Sequence, residues 1–527
     1  MSTLTQLICR NFGGIRQKNA VFSEDMISAQ DIQNIELYFT GINNGVGIRT
    51  MSGNSSVNDT LEGSMKIIEI FESTQQGQKY FFVYAENSTK GQFYNLNILT
   101  GTLSLLKDNI TVTGKAQGLD LIQGYSDLFF FTNGAQMFTV EMGISTPNVI
   151  TDMEPVDRNG DDVLGLCCAL YANRLFISNG NMLWWSVTSN IYDFATADSG
   201  WTTSAGYIEL LKPVTALHNY LDSLAIFYND SSCLLSENSG EFAISEESPG
   251  GCAGASALVF HDTNLYFYDH TKKSVFSFKQ VISGQKTLGE NIAVDIQEIL
   301  QEIDDTKLDE IKTLSVFVEG RNEIWWIIPT NETYEHITTS GNTVTKTEKP
   351  ASIILIYDYL KGEWVKRKSQ KINTACVVDS KLYSGTDDGN VLAEYTSNTF
   401  NGQYIQHYYN CSAWNLGAMN TLKVLVLPPR VSFGMPYSNS FYVKYIKNYN
   451  TFKKPKIKLI KSKVKNFMTW GLGHWGVDYW LNKNTSVIGK FPNATFKVLE
   501  MSIYTENVNQ NFAIRNIEFS KIKVKQV

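Results

Sequence analysis

The sequence predicts an all-β protein whose largest part is a β-propeller of six to eight blades. Short runs rich in Tyr, Phe, Ile, Val and Trp alternate with Asn, Asp and Gly turns, which is typical of strands joined by tight turns. Pairs of such runs start at Lys79, Asp127, Asn173, Asp222 and Thr263, at spacings of 48, 46, 49 and 41 residues. Because propeller blades repeat every ~40–50 residues, each pair predicts one blade.

Two segments flank the predicted propeller. Further strand pairs start at Ser352 and Lys381, and another is expected around Asn322, so the propeller is placed over residues 55–400. Residues 1–54 are interpreted as an N-terminal extension that joins the propeller or a platform. After residue 400 the period is lost while strand-like runs continue, which predicts a basic, sandwich-like β-domain over residues 401–527.

One segment breaks the β pattern. In residues 291–313, apolar residues recur at helical spacing with acidic residues between them, namely Ile292, Ile296, Ile299, Leu300 and Ile303. We therefore expect a short amphipathic helix. A helix that covers the edge of a blade is favoured over one that binds a partner.

Composition excludes several classes of protein. Hydrophobic residues make up 43% of the chain and charged residues 18%, below the ~25% average, so wholesale disorder is excluded. No run of about 18 apolar residues occurs, and the start lacks a secretory pattern, so we expect neither a membrane span nor export. The seven cysteines form no CxxC pair and are interpreted as buried free thiols from a reducing compartment.

Charge is divided unevenly along the chain. Residues 421–527 contain 18 Lys and Arg against four acidic residues, a net charge of +14, so the rest of the −7 chain carries −21. This asymmetry favours two domains that face different surroundings, one of them an anionic partner or a negatively charged neighbour. A dipolar protein that attracts its own copies stays open as the alternative.

Six lysines are candidate contacts for phosphate or for a neighbouring subunit: Lys454, Lys456, Lys458, Lys461, Lys463 and Lys465. The first three have one strand parity and the last three the other, so only a bulge near Leu459 and Ile460 places all six on one face. A row of ammonium groups neutralises phosphates or an acidic protein surface in a salt-dependent way. The alternative is an edge strand that lysines protect against aggregation.

No constellation of residues supports catalysis. The six histidines form neither HExxH nor a Cys/His cluster, and GxSxG and Walker-type motifs are absent. Asp387 and Asp388 are interpreted as turn residues, because hairpin turns favour Asp beside Gly. We therefore expect no catalytic residue, no metal and no cofactor.

Three groups of residues carry a resemblance to a known family. The first lies in residues 11–54 and consists of Gly13, Gly14, Ala29, Asn34, Gly41, Ile48, Arg49 and Gly53. The second consists of Trp185, Ser186, Asp193 and Phe194, and the third of Trp326 and Trp364 in consecutive strand pairs. This pattern resembles the tail nozzle proteins of short-tailed bacteriophages, crAss-like phages included, which are also called tail hub or packaged-DNA stabilisation proteins. In that family a Gly-Gly turn leads through an ordered segment into a propeller.

The resemblance implies a structural, non-enzymatic protein of the virion tail. Such a subunit joins others into a homo-oligomeric ring or tube, a hexamer in the expected case, below the portal and its ring or adaptor proteins. Tail fibre or other tail proteins are further implied partners. The tube retains the packaged double-stranded DNA and conducts it without sequence specificity during ejection. The implied location is the virion tail, with assembly in the bacterial host cytoplasm.

Other functions stay open beside this one. A tail-associated propeller enzyme or adhesin that acts on host surface polysaccharide is the main alternative, and a cytosolic propeller scaffold of the host is a third. A glycosidase needs an acidic cluster on the propeller axis, whereas a structural ring of blades has a blocked or uncharged axis. For the ring itself, we expect attraction between the −21 segment of one subunit and the +14 segment of the next.

Overall fold

Nearly all of the regular secondary structure in the described residues is β-strand, which confirms the all-β prediction. The computed structural model describes residues 3–4, 7–9, 11–17, 26–40, 45–58, 61, 63–124, 126–143, 147–196, 204–238, 241–278, 289–318, 320–340, 343–411, 421–425, 430–433, 440–448, 455–461, 486–487, 495–497, 499–507, 510–519 and 522–526. The chain forms two compact units. Unit 1 comprises residues 1–53, 355–368 and 398–527, and unit 2 comprises residues 54–354 and 369–397.

Seven sheets, which we name A to G, contain the strands of unit 2. In hydrogen-bonded order, the strands of the first three sheets are: A, Lys66–Gln75, Gln78–Glu86, Gly91–Asn97, Thr102–Ile110; B, Gln117–Gln123, Ser126–Thr132, Met137–Glu141, Val149–Met153; and C, Cys167–Tyr171, Arg174–Asn179, Met182–Trp185, Gly206–Glu209. The strands of the next two sheets are: D, Ala216–Tyr220, Ser223–Phe227, Ser231–Asn238, Glu241–Ile244, with Ser248–Pro249 also paired with Ser231–Asn238; and E, Leu258–His261, Asn264–Asp269, Ser274–Phe278, Glu290–Asn291. The strands of the last two sheets are: F, Lys312–Val318, Arg321–Ile328, Thr343–Asp358, Thr333–Ser340, with Glu363–Gln370 also paired with Thr343–Asp358; and G, Ile372–Val378, Lys381–Thr386, Val391–Ser397, Gly53–Ser56.

The turn in the middle of sheet B explains why these sheets form locally. Between two apolar strands, the Asn133 side chain accepts hydrogen bonds from the backbone N–H groups of Ala135 (3.0 Å) and Gln136 (2.8 Å). Gly134 adopts a φ of +81°, which glycine tolerates without strain. Thr132 and Met137 then pair across the turn. The turn residues of this hairpin therefore make local contacts, and the Asn133 amide also donates to the Thr111 carbonyl at 2.7 Å.

Sheet F differs from the expected arrangement of strand pairs. The strand around Asn322 and the run that starts at Ser352 were expected to belong to separate pairs. In the structure, Arg321–Ile328 pairs with the 16-residue strand Thr343–Asp358, which contains Ser352. The outer strand Thr333–Ser340 turns back onto the first half of that long strand. One long strand thus serves both predicted pairs.

Side-chain contacts pass from each sheet of unit 2 to the next. Apolar clusters join sheets A and B, B and C, and C and D. Phe227 of sheet D lies 5.1 Å from Phe267 of sheet E, measured between ring centroids. His261 of sheet E hydrogen-bonds Ser315 of sheet F at 2.6 Å. Tyr395 of sheet G donates to Glu323 of sheet F at 3.0 Å.

Sheet G also contacts sheet A, so the first and last sheets of the series are neighbours. Their shared core contains Ile67 and Val83 from sheet A, and Tyr383 and Val391 from sheet G. The fourth strand of sheet G, Gly53–Ser56, precedes sheet A in the chain. Its residue Asn54 donates to the buried Glu394 carboxylate at 3.1 Å. The two ends of this part of the chain are therefore held together in one sheet.

The predicted helix is present only as short pieces. Turns of 3-10 helix at Val294–Ile296 and Asp305–Glu310 flank a five-residue α-helix, Gln297–Gln301. The α-helix ends at Gln301, and Asp304 begins the next turn, because its backbone is extended and its side chain accepts from the Thr306 N–H. The expected apolar face is buried at Ile296, Leu300 and Ile303, together with Leu308. No helix in the described residues has the length and hydropathy needed to cross a bilayer.

Unit 1 is built from three sheets, H, I and J, that mix strands from both ends of the chain. In the order of each sheet, the strands are: H, Thr3–Leu4, Ile522–Gln526, Thr421–Leu425, Thr495–Phe496; I, Ser486–Val487, Arg430–Phe433, Ala513–Phe519, Val46–Thr50, Ile35–Phe39, with Leu7–Cys9 also on Ala513–Phe519; and J, Asn11–Ile15, Met26–Gln33, Tyr408–Cys411, Leu499–Tyr504, Ser440–Lys447, Lys456–Lys461.

The limits of the two units can be set beside the predicted ones. Unit 2 spans residues 54–397 apart from segment 355–368, against the predicted range of 55–400. The segments expected as an N-terminal extension and a C-terminal domain contribute strands to the same sheets. The two units carry net charges of opposite sign. Unit 1 contains 26 Lys and Arg against 10 Asp and Glu, whereas unit 2 contains 19 against 42, so their net charges are +16 and −23.

Candidate functional site

Two adjoining cavities in unit 2 contain charged side chains in their linings. The first has a volume of about 510 Å³ and the second about 500 Å³. Both are lined by the first strands of several sheets or by the residues just before them. Ala116, Ala255, Ser256 and Lys312 line both cavities and therefore form the wall between them.

An ion pair between Lys312 and Glu69 crosses this wall. Lys312 begins the first strand of sheet F and Glu69 lies in the first strand of sheet A, and their side chains are only 14% and 12% exposed. The second Glu69 oxygen accepts from the Thr374 hydroxyl of sheet G, and the Lys312 ammonium also donates to the Ser256 hydroxyl at 3.2 Å. One network therefore links sheets A, F and G and the segment that precedes sheet E.

Two further contacts span the cavities. Lys115, just before sheet B, forms an ion pair with Asp309, just before sheet F. Gln117 of sheet B donates to the Ala255 carbonyl at 3.0 Å, and its side-chain oxygen accepts from the Cys168 N–H at 3.3 Å. The ion pair joins segments next to sheets B and F, which are not consecutive in the chain, whereas Gln117 contacts the consecutive sheet C and the segment before sheet E. The cavities are thus bridged by polar contacts.

Four other titratable groups of the cavities are held by hydrogen bonds or by burial. Asp387 accepts from the Asn373 amide at 2.7 Å, and Asp120 accepts from the Thr74 N–H at 2.9 Å. Burial raises the pKa of Cys167 to about 12, so this thiol stays protonated near neutral pH. Burial also lowers the pKa of His218, whose Nδ1 donates to the Asn219 carbonyl at 2.6 Å.

A metal site finds no support in the part of the chain that the structure describes. Among those residues, no group of three or more His, Cys, Asp or Glu side chains could hold a metal ion. Cys167, Cys168, Cys233, Cys252, Cys376 and Cys411 are free thiols, and all but Cys376 are buried. The cavities therefore offer charge pairing and hydrogen bonding, which are means of joining sheets.

The family-like residues of sheet C have packing and turn roles. Trp185 packs edge-on against Phe242 at 5.1 Å between ring centroids. Ser186 is fully buried, and its hydroxyl accepts from the Leu175 N–H at 3.0 Å. The Asp193 carboxylate accepts from two N–H groups; burial opposes ionisation, but the hydrogen bonds from Thr196 and Ala195 hold its pKa below the usual value. Phe194 belongs to the core between sheets B and C.

The family-like glycines of unit 1 lie where backbones approach closely. Gly13 and Gly14 were expected in a turn, but they lie within strand Asn11–Ile15, at an irregularity of its parallel pairing with Met26–Gln33. A Cβ on Gly14 would lie 2.3 Å from the Trp364 carbonyl oxygen, so only glycine fits. The Gly14 N–H donates to the Glu363 carboxylate at 2.8 Å.

Two more of the family-like positions, Gly53 and Arg49, also have structural roles. A Cβ on Gly53 would lie 2.0 Å from the Thr399 carbonyl oxygen. Arg49 forms an ion pair with Glu36, its cross-strand neighbour, and its guanidinium lies 5.4 Å from the centre of the Tyr38 ring. Gly41 lies outside the described residues. These contacts fix backbone geometry in unit 1.

The candidate lysines are only partly described. Lys454, Lys463 and Lys465 lie outside the described residues, while Lys456, Lys458 and Lys461 lie in the terminal strand of sheet J. The pairing from Ser440 with Lys461 to Tyr445 with Lys456 is unbroken, so the bulge that would unite the six lysines on one face is absent there. Lys456 is exposed and Lys458 is half-buried. Lysines on an edge strand fit the protective role as well as the binding role.

A row of aromatic side chains crosses sheet J and was missed at the level of sequence. Tyr408 pairs with Tyr504, Tyr504 with Tyr442, and Tyr442 with Leu459, so the four side chains share one face. All four are half-buried, and the rings of Tyr442 and Tyr504 stack at 5.5 Å. The signal in the sequence is the alternation of Tyr442, Lys444 and Ile446 with buried residues, but the pairing partners are too distant in sequence to be found that way.

Comparisons with known proteins add little to this geometry. No protein-family model matches the chain, and no curated protein matches it significantly. A crystal structure of the computationally designed Ika8 protein is 13% identical, with a TM-score of 0.33, over 65% of this chain and 99% of that one. A functionally unknown protein from Desulfotomaculum acetoxidans DSM 771 is 11% identical, with a TM-score of 0.31, over 50% of this chain and 80% of that one. Likeness at these values supports no conclusion about fold or function.

Proposed function

We propose that the protein is a non-enzymatic structural subunit of a bacteriophage tail, a tail nozzle or hub protein, and that sheets A to G are the seven blades of a β-propeller. The blade assignment is supported by the succession of contacts from each sheet to the next and from G back to A. It is also supported by strand Gly53–Ser56, which completes the last sheet from the start of the series. Propellers commonly join their ends in this way, since it protects the edges of the sheets.

The main support for a non-enzymatic role is that charged side chains form ion pairs across the two cavities. Two cavity carboxylates, Glu69 and Asp309, each form an ion pair with a lysine from another sheet. A glycosidase instead needs two carboxyl groups that differ in protonation and lie on opposite sides of a substrate. Because these carboxylates form ion pairs with lysines, they favour a role in holding the sheets together over a role in catalysis.

The tail assignment rests on the sequence resemblance and on the division of charge. The resembling residues Gly14, Gly53 and Ser186 lie at tightly packed positions, where a structural family would retain them. In the proposed assembly, six copies form a ring below the portal and its ring or adaptor proteins, in contact with tail fibre or other tail proteins. The ring retains packaged double-stranded DNA and conducts it during ejection. Assembly takes place in the bacterial cytoplasm.

Quantitative mass spectrometry of purified virions tests the proposal. We expect the chain in the particle at about half the amount of the portal subunit, that is, six copies for every twelve. Absence from the particle would overturn the structural role. Cleavage of host surface polysaccharide by the purified protein, lost in both Glu69→Gln and Asp309→Asn, would favour the alternative of a tail-associated enzyme. The matched control is Glu335→Gln, on an exposed hairpin of sheet F.

A further inference from the structure

Three exposed apolar side chains of unit 2 lie at equivalent positions in three sheets, and we call them the apolar rim. Ile122 of sheet B is 69% exposed, Leu221 of sheet D 55% and Phe317 of sheet F 73%. Each lies near the end of the first strand of its sheet or in the turn that follows it. Because large apolar side chains are costly to leave in water, their recurrence at one kind of position indicates a surface for contact.

Contacts between neighbouring sheets connect the same ends of their first strands. The hydrogen bonds there are Gln76 with Asp127 (2.8 Å), Tyr171 with Asp222 (2.9 Å) and His261 with Ser315 (2.6 Å). They join sheet A to B, C to D and E to F. The rim residues therefore lie at one end of unit 2.

The second cavity of unit 2 reaches this end. Its lining includes Asp120 and Asn219, each two residues before a rim residue, and Leu314, three residues before Phe317. The lining also includes four larger apolar side chains, Phe71, Leu119, Leu170 and Leu217. The cavity volume of about 500 Å³ is in the range of sites that hold small ligands. The rim thus borders a concave site with apolar side chains in its walls.

Carboxylates outnumber cations around the rim. At these strand ends and turns, the described acidic residues are Glu72, Asp120, Asp127, Asp222, Asp262 and Asp379, and the basic residues are Lys79, Arg174, Arg321 and Lys381. Lys79 pairs with Glu72, Arg321 pairs with Glu323, and Arg174 is buried. Unit 2 as a whole carries −23. Complementary charge therefore favours a basic partner with apolar side chains.

One segment of the chain has that composition, and it lies outside the described residues. Residues 462–485 connect strand Lys456–Lys461 of sheet J with strand Ser486–Val487 of sheet I. Their aromatic side chains are Phe467, Trp470, Trp475, Tyr479 and Trp480. Lysines stand on both sides of this aromatic stretch, at Lys461, Lys463, Lys465 and Lys483. Trp and Tyr are the residues that most often dominate the binding energy of protein interfaces.

The length of this segment permits contact with another molecule. Both of its neighbouring strands belong to unit 1. At ~3.3 Å per residue, residues 462–485 extend at most about 40 Å outward and return to the unit. Unit 1 carries +16, so a second copy presents this segment from a unit whose charge is opposite to that around the rim.

We propose that residues 466–483 of one copy bind the apolar rim and the second cavity of unit 2 in another copy. The aromatic side chains cover Ile122, Leu221 and Phe317, and the flanking lysines pair with the carboxylates around them. The contact is heterologous, and its repetition generates a ring when the rotation closes. The inference rests on the proposed function in one respect, since a ring needs such a contact between unlike surfaces.

Photo-cross-linking of the full chain identifies the occupant of the rim. Phe317 is replaced by p-benzoylphenylalanine in unlabelled protein, which is mixed at low concentration with unaltered protein labelled with ¹⁵N, concentrated and irradiated. We expect links from position 317 to the heavy tryptic peptide of residues 466–483. Links to the light peptide alone would place the segment on its own chain and overturn the proposal. Links to other heavy peptides, or none, would also overturn it.

A matched control places the same photo-reactive residue at Leu211. This side chain is 91% exposed and lies in the connection from sheet C to sheet D, away from the ends of the first strands. We expect no link from position 211 to residues 466–483. Equal links from both positions would mean that the segment contacts unit 2 without selecting the rim, and would overturn the proposal.

Self-association measured by sedimentation supplies the second test. Phe317→Asp and the double variant Trp475→Ala/Trp480→Ala should each weaken association at least tenfold. Leu211→Asp makes the same kind of change at an exposed position outside the rim and should leave association within about twofold. Circular dichroism checks that every variant is folded. An association that the first two variants leave unaltered would overturn the proposal.

The two proposals can fail separately. Absence of the chain from virions removes the tail function but leaves links between copies intact. A virion protein whose copies join through other surfaces keeps the tail function and loses this interface.

Discussion

The two units of this protein differ in how far apart in the chain the strands of each sheet lie. In unit 2, the strands of each sheet follow one another along the chain, and only Gly53–Ser56 comes from elsewhere. In unit 1, every sheet combines strands from the first 50 residues with strands from beyond residue 400. Unit 2 is acidic and unit 1 basic. Local pairing makes a repeat visible in sequence, whereas long-range pairing hides it.

The largest expected effect comes from replacing one buried phenylalanine in each unit with alanine. In the core between sheets A and B, the ring centroid of Phe131 lies 4.6 Å from that of Phe138. In unit 1, the ring centroid of Phe441 lies 5.1 Å from that of Phe512. Each Phe→Ala change should cost about 3–5 kcal/mol, because both rings are fully buried. Hydrogen exchange should rise in sheets A and B for Phe131→Ala.

For Phe441→Ala, the rise in exchange should appear at both ends of the chain, in Met26–Gln33 as well as Ala513–Phe519. Phe→Leu at the same positions is the milder control. If exchange in the Phe441 variant rose only near residue 441, unit 1 would not be joined through long-range pairing in the way described.

A smaller effect comes from pH and acts mainly on unit 1. His407 is fully buried, with Nε2 3.2 Å from the Met51 carbonyl and Nδ1 3.3 Å from the Thr505 hydroxyl. Burial lowers its pKa to about 4. The unfolded chain, with a His pKa of about 6.5, binds the proton first, so acid favours unfolding. Stability is complete above pH 6.5, and about 3 kcal/mol is lost as the pH falls to 4.

Denaturant unfolding at pH 7 and at pH 4.5, followed by exchange in sheets H, I and J, measures this loss. His407→Gln cannot gain the proton and should show a shallower dependence on pH, though it is less stable at pH 7. His218 of unit 2 also has a lowered pKa but lies partly exposed, so the corresponding change in unit 2 should be smaller. Equal pH dependence in His407→Gln and the unaltered chain would contradict the assignment.

The smallest effect compares a bridging ion pair with a surface one. Lys312→Met leaves the Glu69 carboxylate without its cation in a mostly buried place and should destabilise unit 2 by about 1–3 kcal/mol. Lys346→Met removes an ion pair whose side chains are 60% and 53% exposed, and should cost less than about 1 kcal/mol. Thermal unfolding measures both. Equal effects would mean that the pair across the cavities does not help to hold the sheets together.

Particular elements show how far prediction from sequence reached. The hairpins at Asp127 and Asn173 were predicted, because their turn residues and apolar strands are adjacent in the chain. A helix in residues 291–313 was predicted, but the α-helical piece ends at Gln301, and Asp304 begins a separate turn of 3-10 helix. The tail function and the ring remain predictions. The bulge near Leu459 and Ile460 that would place all six lysines on one face does not occur in the paired strand.

The β class, the hairpins of unit 2 and the separation of charge could all be predicted from the order of residues alone. Each of these depends on residues that are close in the chain or on composition alone. Tertiary structure decided that Lys312 reaches Glu69, that Gly14 meets Trp364, and that Tyr408, Tyr504 and Tyr442 form one row. Register between distant strands sets these contacts. A shift of one residue would turn every side chain to the other face, and nothing within a single strand fixes that choice.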